Sequence, residues 1–276
     1  ILVSALWLPV PRIALAHPGD PPTSRLPPET LAIAAANPEA PFTRESVKAL
    51  AQREPLRLLK LAMELCEQRI SDYRCTLYKK ENIGGRVGPR QIIEVRYREQ
   101  PLTVYMIWRE NPERVRRALF VDSPDYVNKR GEKLARVEPA GLIARALVPE
   151  TTFPIHGPEA RASSRRFIDE FGFESTLEVV IHYCELAERN GDLKLWYEGE
   201  GRVDGRPTYI LKRLLPYTGP EGLYPDAKLV IHLDQEWLIP TAVYSYADAS
   251  EKMLLGAYEF GDINLNPRFT ERDFDF

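Results

Sequence analysis

At Tyr73-Arg74-Cys75-Thr76-Leu77-Tyr78-Lys79-Lys80-Glu81-Asn82-Ile83-Gly84-Gly85 the chain changes its hydrophobic period from 3.6 to 2. Alternation of this kind marks a strand with one buried face, and a Gly-Gly pair supplies the positive φ angles of a tight hairpin. The return strand is read over Val87 to Arg98, with Ile93, Val95 and Tyr97 on one face. Gln100-Pro101 then turns the chain into Leu102 to Arg109, where Leu102, Val104, Met106 and Trp108 alternate with Thr103, Tyr105, Ile107 and Arg109. Further strands are expected at Val115 to Val121, near Tyr126 to Lys129, and at Lys133 to Glu138.

Downstream, Ala140 to Leu147 reads as a short helix and Thr176 to Arg189 as a full amphipathic one, with Ser175 or Thr176 as its N-cap and Asn190-Gly191 as its stop. Strands resume at Leu193 to Val203, turn at Asp204-Gly205, and return over Thr208 to Leu215. Lys228 to Leu233, Thr241 to Ala247 and Lys252 to Ile263 complete the series. Upstream, Leu50, Leu58, Leu61, Ala62 and Leu65 recur at helical spacing, so a helix is expected from Thr43 to Arg69, divided at Pro55.

About ten strands without β-α-β alternation, with helices at the start and middle, define an α+β class: a large curved antiparallel sheet, a half-barrel, with N-terminal and central helices covering one face. Doubly wound and (β/α)8 folds need alternation and are disfavoured. Residues 43–276 read as a single domain. Before them, residues 17–42 are rich in proline and form a linker. Residues 1–16 are apolar and end in Ala14-Leu15-Ala16, a small-x-small pattern that reads as a cleaved export signal, the competing reading being an apolar arm packed on the body.

Lys and Arg number 37 against 40 Asp and Glu, so the net charge is −3 and no basic field draws the chain to nucleic acid. Beyond the first twenty residues no apolar run approaches the roughly 18 to 20 residues of a membrane span. The three cysteines include no C-x-x-C pair. Cys66 and Cys75 are near enough in sequence to form a bridge, the alternative being buried free thiols. G-x-S-x-G, H-E-x-x-H and P-loop signatures are absent. His182 and Cys184 lie about 200° apart on a helix and do not face one metal, and His232 near Asp234 reads as a polar surface pair. Neither a metal nor a cofactor is expected. Asp262, Glu271, Asp273 and Asp275 are weighed as glycosidase carboxylates, against the plainer reading of a strand end and a polar tail.

Two features suggest binding. Val104, Met106, Trp108, Tyr209, Leu211 and Tyr244 lie at alternating strand positions and would line a cavity if the sheet is concave. Arg114, Arg116 and Arg117 form a basic run suited to lipid headgroups or an acidic partner, although Arg116 and Arg117 should point to opposite faces.

The segment Asp72-Tyr73-Arg74-Cys75-Thr76-Leu77-Tyr78-Lys79-Lys80-Glu81, with Gly85-Arg86 and Pro101-Leu102-Thr103-Val104-Tyr105-Met106, resembles the opening of domain of unknown function 1571 (DUF1571). Val203-Asp204-Gly205-Arg206-Pro207-Thr208-Tyr209 and the ending Tyr258-Glu259-Phe260-Gly261-Asp262-Ile263-Asn264-Leu265-Asn266-Pro267, with Phe269-Thr270-Glu271-Arg272-Asp273-Phe274, fit the same family. The likeness covers about residues 60–276. It implies a bacterial envelope location and brings no catalytic motif. Strand order and the terminal Asn-x-Asn-Pro also resemble bacterial lipoprotein-carrier half-barrels of the LolA/LolB kind, which implies a cavity for acyl chains. The expectation is therefore an exported, periplasmic or envelope-associated, non-enzymatic carrier or binding protein. Its ligand would be a lipid, a lipoprotein acyl chain or another apolar molecule. Two alternatives stand beside it: an envelope scaffold that binds another protein, and an enzyme with an unfamiliar site.

Overall fold

A computed structural model describes residues 43–141, 146–147 and 150–276. The expected export signal and linker, and most of the helix expected at Ala140 to Leu147, lie outside the described residues. Two helices come first, α1 (Arg44–Arg53) and α2 (Pro55–Arg69), divided at Pro55 as the sequence implies. The Thr43 hydroxyl caps α1 by accepting from the Ser46 amide at 3.2 Å.

Then follow β1 (Asp72–Ile83), β2 (Arg86–Val87), β3 (Gln91–Arg98), β4 (Thr103–Glu110), β5 (Val115–Val121), β6 (Leu134–Pro139) and β7 (Thr151–Pro154). Short helix α3 (Pro158–Ser163) and long helix α4 (Phe173–Asn190) lead into β8 (Lys194–Val203), β9 (Arg206–Leu214), β10 (Lys228–Asp234), β11 (Pro240–Tyr246) and β12 (Leu254–Leu265). All the strands join one open antiparallel sheet of twelve, ordered β7-β6-β5-β4-β3-β1-β12-β11-β10-β9-β8, with β2 paired to β1. The α+β half-barrel expected from sequence is the fold observed. Gly84 and Gly85 (φ 61° and 85°) and Asp204 and Gly205 (φ 48° and 75°) make the two tight hairpins.

Several details differ. The return strand is broken into β2 and β3, because Pro89 has no amide to donate and the Gly88 amide instead bonds the Glu81 carbonyl at 2.9 Å. The strand expected near Tyr126 is a 3-10 turn over Pro124–Tyr126, followed by a single bridge from Val127 to Lys133. There the Asn128 side chain accepts from the amides of Arg130 and Glu132 and closes a loop. Helix α4 begins at Phe173, earlier than the expected Ser175 or Thr176 cap. Phe173 is drawn into the core, stacking on Tyr73 at 4.2 Å, and the turn before it falls on Gly172, φ 150°. A Cβ at Gly172 would sit 3.3 Å from the Tyr97 ring. Gly191 stops the helix in the left-handed conformation, as expected.

Helices α1, α2 and α4 pack on one face of the sheet. The opposite, outer face carries the terminal segment over β4 and β5, where Phe274 packs with Tyr105 and Leu119. In the main core, Arg213 on β9 is fully buried beneath α4. It donates to both Asp226 carboxylate oxygens at 3.1 Å and to the Val180 carbonyl at 3.2 Å. Cys66, Cys75 and Cys184 are buried free thiols, so the bridge weighed between Cys66 and Cys75 is not formed. Burial pushes the Cys66 thiol up to about 12 and raises Cys75 as well.

Removing one partner of a buried ion pair strands the other charge at a cost of about 3–5 kcal/mol. Asp226→Ala should therefore lower the urea midpoint markedly, whereas Arg213→Met with Asp226→Leu should recover most of the loss.

Candidate functional site

The sheet places the six expected lining residues in three locations. Val104, Met106 and Trp108 project from β4 toward the helix side, and Tyr209 and Leu211 do the same from β9. Six strand steps separate β4 from β9, about 29 Å followed along the curved sheet at roughly 4.8 Å per step, with the packed side chains of β3, β1, β12, β11 and β10 between them. Tyr209 and Leu211 are packed in the core under α1, where the Tyr209 hydroxyl donates to the Arg44 carbonyl at 3.1 Å. Tyr244 lies on the outer face, in register with Val230 and Ala257. The set thus does not converge on one cavity.

Around the β4 trio an apolar floor extends across β5 and β6. Met106 pairs with Ala118, which pairs with Val137; Val104 pairs with Phe120, which pairs with Ala135. Large and small side chains therefore face one another across the strands. This floor is covered by residues 155–171, made of α3, a 3-10 turn at Ile168–Glu170 and irregular chain. Ile155 and Ile168 are the apolar contacts from the cover in this cluster.

Polar ties hold the rest of the cover. Buried Glu81 accepts from the Tyr258 hydroxyl at 2.6 Å, the Ser164 hydroxyl at 3.2 Å and the Arg165 amide at 3.3 Å, and pairs with Lys79 at 3.2 Å. Burial and the Glu81 carboxylate hold the Tyr258 phenol well above its ordinary value. His156 meets Asp169 at 3.0 Å, and Arg166 pairs with Glu170 at 3.4 Å. Lys79 donates to Ser164 at 3.3 Å and pairs with Glu81, and Ser164 donates to the same carboxylate, so the group acts as a clasp between β1 and the cover. A Lys and a Glu at alternate positions of β1, continuing the apolar face of Cys75 and Leu77, were its signal in the sequence.

The basic run behaves differently from expectation. A β-bulge between Val115 and Arg117 lets Arg116 and Arg117 both reach Glu138 instead of dividing between the faces. Arg117 also lies 4.8 Å from the Phe276 ring, leaving Arg114 and Arg116 as the exposed members. The C-terminal carboxylates have structural partners: Asp262 accepts from Thr76 at 3.0 Å, Glu271 pairs with Arg98 at 2.7 Å, and Asp273 caps Thr270. Among the described residues, no three His, Cys, Asp or Glu side chains gather as metal ligands, and no helix is long and apolar enough to cross a membrane.

The profile of the family Protein of unknown function (DUF1571) matches residues 70–276, and the chain belongs to that family. No curated protein matches it. Among solved structures, the MucA/MucB complex of Pseudomonas aeruginosa matches at 15% identity and a TM-score of 0.46, over 80% of this chain and 60% of the other. Mycobacterium tuberculosis lipoprotein LppX matches at 12% and 0.41, over 80% of this chain and 100% of the other. LprF from Mycobacterium bovis matches at 10% and 0.43, over 80% and 96%. The chain spans 62% of the length of MucB in its own crystal structure. At these identities the likeness concerns the fold alone.

Directly after the cover, Glu174 opens α4 beside Glu99, Glu67 and Glu178. Burial first, then these three like charges, push its carboxyl up to about 7. An unfolded glutamate gives up its proton near its ordinary value of 4.5. Between that pH and 7 the folded state therefore binds more protons, and folding stability falls as pH rises. Thermal melts should show a higher midpoint at pH 5 than at pH 8, and Glu174→Gln should flatten that dependence.

Proposed function

We propose that the chain is a non-enzymatic binding protein of the cell envelope, one domain over residues 43–276. On this reading it takes up an apolar ligand, an acyl chain of a lipid or lipoprotein, on the β4–β6 floor beneath the 155–171 cover. The observation that carries the reading is the mismatch between floor and cover. The floor is apolar over three strands, yet the cover contributes Ile155 and Ile168 to that cluster; its other ties to the sheet include the clasp around Glu81 and, at its C-terminal end, Phe171, while the His156–Asp169 contact lies within the cover itself. A hydrogen bond to a charged group exchanged for one to water changes the free energy by about 1.5–3 kcal/mol, so a cover tied by a few such bonds opens more readily than a helix docked by a full apolar stripe. An acyl chain entering there would gain about 0.8 kcal/mol for each methylene removed from water.

The mutual satisfaction of Lys79, Glu81, Ser164 and Tyr258 supports a binding role over catalysis. Ala14-Leu15-Ala16 after an apolar stretch supports export. Arg114 and Arg116, exposed at the start of the strand that carries Ala118 and Phe120, support contact with a headgroup on this reading.

Native mass spectrometry of protein isolated from a bacterial envelope should find one co-purifying lipid per chain, and cis-parinaric acid should titrate to the same stoichiometry. Ala118→Phe, which sets a bulky ring beside Met106 on the floor, should weaken parinarate binding about tenfold or more, a change of about 1.4 kcal/mol or greater. A lipid-free mass together with parinarate binding unchanged by Ala118→Phe would overturn the reading.

A further inference from the structure

The outer face of the β8–β12 half holds a second feature, independent of the apolar floor. An open depression of about 260 Å³ is lined by Glu198, Ile210, Lys212, Val230, His232, Tyr244, Tyr246 and Glu251. One row of the sheet runs across it, in register, from Trp196 through Lys212 and Val230 to Tyr244. Two aromatic side chains therefore stand three strand steps apart, about 14 Å. Ile210 and His232 close over Gly201 at the neighbouring corner, where a Cβ would come 2.9 Å from Ile210 Cδ1 and 3.4 Å from His232 Cε1, so a side chain there would push both lining residues aside.

The charges of this depression cancel once Lys228, which lies beside its lining, is counted. Lys212 lies 3.1 Å from Glu198 and 3.4 Å from Glu251, and Lys228 lies 2.6 Å from Glu251. Two cations thus face two carboxylates. Burial lowers the pKa of His232, which keeps the ring neutral at pH 7 with Nδ1 at 3.1 Å from the Thr208 hydroxyl. An anion would meet two carboxylates that already hold their counterions, and a cation would meet two lysines. An acyl chain would find a shallow site with a charged rim, smaller than the roughly 300–1,000 Å³ of pockets that enclose drug-sized ligands. A peptide strand lying across the floor of the depression would find no free backbone there, because β9, β10 and β11 are paired on both sides and β8 alone of this half is an edge.

What remains are aromatic rings, which offer flat apolar area, and fixed carboxylate acceptors and ammonium donors with no net charge. That combination matches a molecule with apolar C–H faces and many hydroxyls. We infer that the outer face of β8–β12 binds a neutral oligosaccharide, one sugar ring against Tyr244 in the depression and the chain running toward Trp196. Glu198, whose carboxylate is held by the Trp196 indole N–H at 2.6 Å and by Lys212, accepts from the sugar hydroxyls between them.

Isothermal titration of the full chain with cellohexaose, chitohexaose and mannohexaose tests this, with hexagalacturonate as an anionic probe. At least one neutral hexasaccharide should bind. Its affinity should fall about tenfold or more in Tyr244→Ala and in Gly201→Leu, and stay unchanged in Ala118→Phe on the other face. Trp196→Ala, on the edge strand, serves as a second variant if Tyr244→Ala fails to fold. The inference is overturned if no neutral probe binds at about 10 mM, if binding survives both Trp196→Ala and Tyr244→Ala, or if hexagalacturonate binds more tightly than every neutral probe.

Discussion

The pairing of β1 with β12 is the constraint on which the rest of the molecule depends. Apart from β1–β3, which passes over the two-residue β2, every other strand pair joins neighbours in the chain, so β1 to β7 and β8 to β12 each run as a meander. Only the register from Tyr73↔Leu265 to Glu81↔Gly256 makes them one sheet. Closing a loop this long costs only logarithmically more than closing a short one. The closure is also secured at its end: Asp72 accepts from the amides of Arg268 and Phe269, and the Asn266 side chain bonds Ser71 and Arg69 across the same corner. From that corner the terminal residues run back over β4 and β5. Phe274 and Phe276 there cover Tyr105, which would otherwise be exposed on the outer face.

Curvature comes from irregularity in the ladders. Register shifts interrupt the pairs β1–β12, β3–β4, β5–β6, β8–β9, β10–β11 and β11–β12. Each bulge adds local twist and bends its strand. At the central one, Asp262 takes φ 49°, its amide bonds Asp204 at 2.8 Å and its carboxylate accepts from Thr76. The β8–β9 turn is thereby drawn against the middle of the sheet. A sheet bent in this way presents one hollow face, which α1, α2 and α4 fill over β8 to β3, and one outward face that needs no cover beyond the terminal segment.

Much of this was legible in the sequence because it is local. Pro55, Gly84-Gly85, Asp204-Gly205 and Gly191 act through their own backbone preferences, and alternation assigns parity within a strand. Parity does not give strand order, so Val104 and Tyr209 could be placed on one face but not six strands apart. Nor does it survive a bulge: the shift after Val115 returns Arg116 and Arg117 to the same carboxylate. Gly172 was illegible for a different reason. Its conformation answers to the Tyr97 ring, a contact made by tertiary packing alone. The clasp around Glu81 joins residues more than eighty positions apart and leaves only a trace in sequence, a charged pair on an otherwise apolar strand face.

The two ends of the 155–171 cover are anchored unequally, and this bears on how it could move. At its C-terminal end Phe171 and Phe173 join Tyr73, Tyr97 and Phe260 in a ring cluster with centroid separations from 4.2 to 6.4 Å. At its start the Ile155 amide bonds the Lys133 carbonyl beside the edge strand β7. An aromatic cluster in the core resists displacement far more than a short edge strand with one pairing partner. Opening would therefore pivot about Gly172 and release the β7 end first, over the part of the floor built from Ala118, Ala135 and Val137. On the proposed reading, a ligand would enter from the β7 edge and advance toward the helices, with Trp108 and Met106 marking the inner limit of its path.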